Sequence, residues 1–402
     1  MVVRLAAPGI AEAVALRPAV LLLGARQVGK TWLSKDLEHH YVTFDDITLL
    51  LQAQEDPVRF VENLPQPTCI DEIQRVPSLF LPIKQIIDRS DQRPNQFLLT
   101  GSANVFHLPQ MADSLAGRLR LMRLFPFAQI ELFPREYRSV FDLFWNRQWP
   151  EPRSVAQDLI ETLTRGGYPI AVLLQSSRER CQWFSDLIDT VASKDIRDLA
   201  QIVDGYRAIK LLNLMAARVG QLVNLSEISR SLREPLSTVQ RDWATLQAIY
   251  LLEELPAWSR NLSKRLLKSP KAYLNDTGLA CFCLGADQDR LMQDRRLMGH
   301  LLENYVYNEL SKQLSWSQQD AKMFHFRSQS GEEVDFVVER RSGECCAIEV
   351  KAASTLSTED LKGIRYLEKE LGDAFIQGVI FYTGTEIKHM GGRVVALPLS
   401  VL

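Results

Sequence analysis

Three groups of residues in this sequence have the types and spacing to do chemistry. The first is Gly24-x-x-x-x-Gly29-Lys30-Thr31, which follows the apolar run Ala19 to Leu23 and precedes a helix-compatible segment. Glycines at that spacing let backbone N–H groups curl around phosphate oxygens, and the helix start adds a partial positive charge. Lys30 can reach terminal phosphates, and Thr31 offers a hydroxyl to Mg²⁺. The strand–loop–helix context is the one a Walker A sequence requires. It predicts binding of ATP with Mg²⁺ by Gly24, Ala25, Arg26, Gln27, Val28, Gly29, Lys30, Thr31 and Trp32.

The second group completes that site. PTCIDEIQ (67–74) ends a short apolar run in Asp71 and Glu72. There, Asp71 would hold Mg²⁺ and Glu72 would polarise an attacking water. QFLLTGSAN (96–104) ends in Thr100, Ser102 and Asn104, polar groups able to sense a γ-phosphate from between the other two elements, with Ser102 the chosen one. Of Arg118, Arg120 and Arg123 further on, Arg118 is the expected arginine finger, in cis or on a neighbouring subunit. A surface arginine is the competing reading.

The third group is VDFVVERRSGECCAIEVKA (334–352). Asp335 and Glu349 are separated by 13 residues, enough for a hairpin that brings both carboxylates to one place. Mg²⁺ bound by Asp335 and Glu349 would lower the pKa of a water and neutralise phosphate charge. Lys351 shares a strand face with Glu349 and could stabilise developing negative charge. Taken alone, this spacing also fits an ordinary hairpin with charged tips.

The elements that must position these groups follow from periodicity. Three strand-like runs carry the N-terminal residues. From 298 the order is helix, three-strand meander (MFHFRS, EVDFVVER, CCAIEVKA), helix and strand, the core order of restriction-endonuclease-like nucleases. His325 and Arg327 lie near that sheet, with structural roles expected. Between these regions, 207–275 reads as an amphipathic helix, LSEISRSL, a longer helix from Ser237, and two strand-like runs around the tip SRNLSKRLLK. That is the pattern of a winged helix-turn-helix. Residues 205–275 hold eleven Lys and Arg against five Asp and Glu, in a chain whose formal net charge is -2. A basic module in a near-neutral chain predicts DNA as a partner, through Ser237, Thr238, Gln240 and Arg241 on the recognition helix and Lys264, Arg265 and Lys268 at the wing. The competing reading is a protein-binding winged helix. Residues 134–157, with Pro134, Pro150 and Pro152, read as a linker. Lys194, Asp195 and Arg197 could touch nucleotide or a neighbour, but a solvated helix face is the favoured reading.

A motif series extends these readings. GARQVGKT, VTFDD (42–46), CIDEIQ, LLTGSAN and SLAGR, in that order, resemble prokaryotic AAA-type ATPases that carry a C-terminal domain of unknown function. RGGYPI (165–170) and MGHLLENYVYNEL (298–310) extend the resemblance over nearly the whole chain. It implies a helical region beside the ATPase core, a third carboxylate at Glu303, and a homo-oligomer of the AAA class. The expected fold is therefore α/β and multidomain: a P-loop AAA-type core (1–135), a linker and helical lid (136–204), a winged helix-turn-helix (205–275) and a restriction-endonuclease-like domain (276–402).

Composition sets the outer limits. With 46% hydrophobic and 24% charged residues, the chain is an ordinary globular one. Six cysteines without a CxxC pair, and six histidines without an HxxxH pattern, argue against structural zinc and for free thiols in a reducing cytoplasm. No apolar run approaches the roughly 20 residues that span a bilayer, and Pro8, Glu12, Arg17 and Pro18 interrupt any signal core. A cytoplasmic protein without a membrane partner is expected. The leading functional expectation is an ATP-dependent enzyme acting on DNA, with Glu303, Asp335, Glu349 and Lys351 as nuclease residues. The alternatives are an ATP-switched binding scaffold with a silent nuclease fold, and a regulatory switch that involves no nucleic acid.

Overall fold

The computed structural model describes residues 2–37, 39–102, 117–152, 159–197 and 205–402, with the backbone alone at Leu262 and Lys264. Asn104 and the side chain of Lys264 lie outside the described residues.

Strands β1 (Ala19–Leu23), β2 (His40–Thr43), β3 (Thr68–Asp71), β4 (Phe97–Gly101) and β5 (Leu119–Arg123) form a parallel sheet in the order β2-β3-β4-β1-β5. Every residue of β1, β3 and β4 is buried. This is why these strands read as short apolar runs and not as alternating ones. One face packs on the helices Ile47–Glu55, Pro57–Glu62 and Phe80–Arg89 through Phe44, Val61, Ile83 and Ile87. Val20, Leu22 and Leu98 on the opposite face join Ile10 and Val14 in a core that continues into the helices Ser177–Thr190, Gly205–Ala216 and Leu236–Ala248. The sheet and the helical region thus share one hydrophobic core.

Helices Gly205–Ala216, Leu225–Leu232 and Leu236–Ala248 lead into the antiparallel ribbon of β6 (Leu252–Leu255) and β7 (Lys271–Leu274). The tip between these strands, expected as an extended wing, carries a helix, Leu262–Leu267.

The helix Arg295–Trp316 then precedes β8 (Ala321–Arg327), β9 (Glu333–Arg340) and β10 (Cys345–Lys351), followed by the helix Lys362–Leu371, β11 (Phe375–Tyr382), β12 (Lys388–His389) and β13 (Val394–Pro398). The sheet order is β12-β13-β11-β10-β9-β8, with β10–β11 parallel and β8–β9–β10 an antiparallel meander. The element order read from the sequence is the order found. The stretch read as a linker is different: Val140, Phe141 and Phe144 are fully buried against Phe381 and Leu397 of this second sheet. Its prolines and charges suggested a tether, but its aromatic residues are core residues. All six cysteines are free thiols, and among the described residues no helix is long and apolar enough to cross a membrane.

Candidate functional site

The segment Gly24 to Gly29 turns sharply at the C-terminal end of β1. Gly24 has φ +157° and Gly29 φ +97°. A Cβ on Gly24 would collide with the carbonyl oxygen of Leu124, so only glycine fits there. Buried Arg4 braces the loop from the N-terminal segment. It donates to the Val28 carbonyl at 3.0 Å and pairs with Glu131 at 3.1 Å. Lys30, at the start of the helix Lys30–Lys35, folds back and donates to the carbonyls of Gly24 and Ala25, both at 2.9 Å. Burial pulls its amine down to about 8, against the opposing pull of Glu72 and Asp71. An arriving triphosphate would hold it more firmly in its charged form.

Thr31 donates its hydroxyl to Asp71 Oδ2 at 2.9 Å, and Tyr41 donates to the same oxygen at 2.6 Å. Asp71 also accepts from Thr100 on the adjoining β4. Thr31 and Asp71 therefore already face each other as an oxygen donor set suited to Mg²⁺. Glu72 has φ +59°, a conformation that side-chain-bearing residues adopt at a cost of about 1–3 kcal/mol and that concentrates at functional sites. Its carboxylate accepts from Gln74, and from Ser102 at 3.3 Å, while Gln74 donates to Ser102 at 3.0 Å. β4, which carries Thr100 and leads to Ser102, runs between β3 and β1.

A cavity of about 750 Å³ opens over this loop, lined by Arg26, Gly29, Lys30, Thr31, Trp32 and Glu72. Its far wall is apolar. Trp32 is 45% exposed there, opposite Ile170 and Leu173 on the helix Pro169–Leu173. The Ile170 and Leu173 side of this wall escaped sequence reasoning, although the RGGYPI motif leads into it. The motif's glycines have a packing reason: Gly166 (φ +68°) and Gly167 lie against the buried Asp276 carboxylate and the Phe127 carbonyl, where a Cβ would clash.

Two expectations for this region need correction. Asp195 is not on a solvated face: it is buried, and it pairs with Arg26 of the loop at 2.9 Å from a single π-helical turn, Val191–Asp195. Such turns occur often at functional sites. Arg118 lies beside Leu119, level with Ala19 at the start of β1, roughly 13 Å along the sheet from the loop at 3.3 Å per residue. It pairs with Asp88, so it does not reach its own subunit's phosphate site. Arg123 is at the loop end of the sheet but is committed to a bidentate pair with Glu253 on β6, stacked over Phe125 and Tyr250.

In the second sheet, Asp335, Glu349 and Lys351 do converge. Asp335 Oδ2 accepts from the Val350 amide at 3.0 Å, and Lys351 donates to Glu349 at 3.3 Å. They border a cavity of about 390 Å³ that is also lined by Glu332, Glu333, Glu359 and Asp360. Burial, with Asp335 adding to it, holds the Glu349 carboxyl well above its usual range. Glu303 sits behind them, pushed up to about 7 first by burial and then by Asp335.

Lys271 is the residue that sequence reasoning missed. Carried on β7, its ammonium lies 2.8 Å from Glu303 Oε1 and 3.4 Å from Asp335 Oδ1. Tyr273 also donates to Glu303 Oε1, at 2.7 Å. Among the described residues no three acids, histidines or cysteines are grouped to hold a metal ion. A lysine therefore stands between Glu303 and Asp335, so that pair does not fit a Mg²⁺, whereas the expected Mg²⁺ pair, Asp335 and Glu349, borders the open cavity.

The proposed DNA-contact residues are divided. Ser237, Gln240 and Arg241 are exposed on the helix Leu236–Ala248, and Thr238 is half-buried. Arg265 instead turns inward. It makes a two-pronged pair with Glu339 at 2.6 and 2.8 Å and lies over Phe324, so it is not offered to solvent as a wing residue. Lys268 donates to the Arg327 carbonyl at 2.9 Å. His325 is buried with its Nε2 at 3.0 Å from the Ser269 carbonyl, and Arg327 is exposed and pairs with Glu333.

A parallel sheet ending in a phosphate-type loop, with Thr31, Asp71 and Glu72 gathered at its mouth, defines a P-loop ATPase core. Residues 16–133 match the model of an AAA domain. Residues 156–290 and 298–402 match two domains of unknown function, DUF8612 and DUF4143. The chain is 30% identical over 402 residues to the uncharacterized proteins Rv2008c of Mycobacterium tuberculosis and Mb2031c of Mycobacterium bovis, covering 98% of this chain and 82% of each relative. It belongs to their family. An uncharacterized protein of Haemophilus influenzae is 23% identical over 281 residues, 69% of this chain and 66% of that one. Among solved structures, the Walker-type ATPase paby2304 of Pyrococcus abyssi is similar at 15% identity and a TM-score of 0.42, over 69% of this chain and 94% of that one.

Proposed function

We propose that this AAA-domain protein hydrolyses ATP and uses the nucleotide state to control a DNA-contacting module. The observation that carries the ATPase reading is the Thr31–Asp71 contact beside the strained Glu72 at the ends of neighbouring parallel strands. Thr31 and Asp71 would hold Mg²⁺, which supplies neutralisation of phosphate charge. The Gly24–Gly29 amides and Lys30 orient the phosphates, and the wall of Trp32, Ile170 and Leu173 receives the base. Glu72, oriented by Gln74 and Ser102, takes the proton of the attacking water. In a homo-oligomer of the AAA class, Arg118 is the side chain that would serve a neighbouring subunit.

For the other end of the chain, the helix pair Leu225–Leu232 and Leu236–Ala248 with its following ribbon supports a winged helix-turn-helix. Its exposed Arg230, Arg233 and Arg241 form the basic surface for phosphates. The C-terminal sheet supports a nuclease-like fold. Of the two readings of that fold, the binding scaffold is favoured over cleavage by the position of Lys271 between Glu303 and Asp335. No cutting step is assigned to it.

The test is steady-state ATP turnover with and without duplex DNA, for wild type and Arg230→Ala/Arg233→Ala/Arg241→Ala. The expected result is DNA binding that weakens with salt and a turnover that DNA alters in wild type only. Turnover indifferent to DNA, with no salt-dependent binding, would exclude DNA as the partner.

A further inference from the structure

We propose that Lys271 is the resident cation of the Glu303–Asp335 pair, taking the place of a divalent metal, and that the pair becomes a divalent-cation site only when this ammonium is withdrawn. The inference rests on reading the C-terminal sheet as nuclease-like. Its basis is how completely the carboxylate oxygens are used. Glu303 Oε1 accepts from both Lys271, at 2.8 Å, and the Tyr273 hydroxyl, at 2.7 Å. Glu303 Oε2 faces the backbone of Gly220 (φ +75°), so closely that a Cβ there would lie 2.7 Å from it. Asp335 divides its oxygens between Lys271, at 3.4 Å, and the Val350 amide, at 3.0 Å.

Each oxygen of the Glu303–Asp335 pair is thus committed to a donor or walled by backbone. The Lys271 side chain is 9% exposed, so the ammonium is an enclosed part of the cluster and not a passing surface contact. Mg²⁺ needs a near-octahedral shell of oxygens at roughly 2.1 Å. It cannot share this space with an ammonium hydrogen-bonded to the same carboxylates. A buried carboxylate pair is strongly disfavoured unless a proton or a cation compensates it. The fold supplies the cation from within.

The source of the lysine also matters. Lys271 does not belong to the C-terminal sheet that carries Asp335 and Glu349. It sits on β7, opposite Leu255 of β6, and Tyr273 is opposite Glu253 in the same ribbon. Glu253 is the residue gripped by Arg123 at the phosphate-loop end of the ATPase sheet, with Nη1 at 2.7 Å from Oε2. One two-stranded ribbon therefore holds the ATPase sheet by one side chain and fills the carboxylate pair with another. Withdrawal of Lys271 is a displacement of this ribbon.

The test is Mn²⁺ titration by calorimetry on full-length, nucleotide-free protein, with Asp335→Asn as the control for this site. Wild type and Asp335→Asn are expected to give the same heats. Lys271→Met is expected to gain one Mn²⁺ site, at least tenfold tighter than anything in wild type, that Lys271→Met/Asp335→Asn lacks. A Mn²⁺ site in wild type that Asp335→Asn abolishes would overturn the proposal while leaving the nuclease-like reading intact. A folded Lys271→Met without a Mn²⁺ site would overturn both. If Lys271→Met does not fold, Mn²⁺-dependent melting of wild type against Asp335→Asn decides: identical melts support a resident ammonium, and a selective rise in wild type refutes it.

Discussion

Replacing Asp195 by asparagine tests whether the helical region senses the phosphate site. Asp195 pairs at 2.9 Å with Arg26, which lines the nucleotide cavity, and the two side chains are 9% and 24% exposed. Its carboxyl is held above the ordinary range, first by burial and with Glu72 adding, against the pull of Arg26. An incoming triphosphate must compete with this carboxylate for Arg26 and is also repelled by it. A charge-assisted hydrogen bond of this kind contributes about 1.5–3 kcal/mol. Asparagine keeps an acceptor but loses the charge, which releases about 1 kcal/mol toward nucleotide binding. Asp195→Asn should therefore tighten ATP binding about five- to tenfold, while unfolding free energy falls by a similar amount. The assay is calorimetric titration with a non-hydrolysable ATP analogue for wild type, Asp195→Asn, Arg26→Ala and the double variant. If Arg26 mediates the effect, Asp195→Asn should change affinity by less than about threefold in the Arg26→Ala background. Weaker binding by Asp195→Asn, or an equal gain without Arg26, would refute the reasoning.

Two other perturbations have definite signs. His325 is buried, with Nδ1 unpartnered, and burial pulls its imidazole down to about 4 from an ordinary 6.5. Between those pH values the unfolded chain binds a proton that the folded one refuses. Stability should then fall as pH drops through that window, by at most roughly 3 kcal/mol, and His325→Gln should flatten the urea-midpoint profile between pH 4 and 6.5; an unchanged slope would refute this. Gly220→Ala places a Cβ 2.7 Å from Glu303 Oε2 at φ +75°. The strain and the displaced carboxylate should cost about 2–4 kcal/mol, read by urea denaturation, and an unmoved midpoint would count against the close contact.

Local features were the legible ones. The Walker A spacing, Asp71 and Glu72 after an apolar run, and the helix–meander–helix–strand order are each written within short stretches, and the structure has each in place. What escaped reading depends on contacts between distant residues. Lys271 meets Asp335 across 64 positions, and Arg123 meets Glu253 across 130. A lysine in PKAYLN looks like one more basic residue of a DNA-facing module until the fold buries it. Arg265 misled for the same reason, since charge in the sequence does not show whether a guanidinium faces water or Glu339. The segment around Val140 to Phe144 was misread because prolines and charges were weighed above aromatic residues whose partners lie in the last sheet.

The central claim, that the phosphate loop serves ATP hydrolysis with Glu72 as the proton acceptor, is tested most directly by Glu72→Gln. The substitution keeps the size and hydrogen bonding of the side chain but removes its basicity. We predict that nucleotide affinity changes by less than about threefold, while single-turnover phosphate release falls at least about a hundredfold. Phosphate release at the wild-type rate, with ATP bound, would contradict the account.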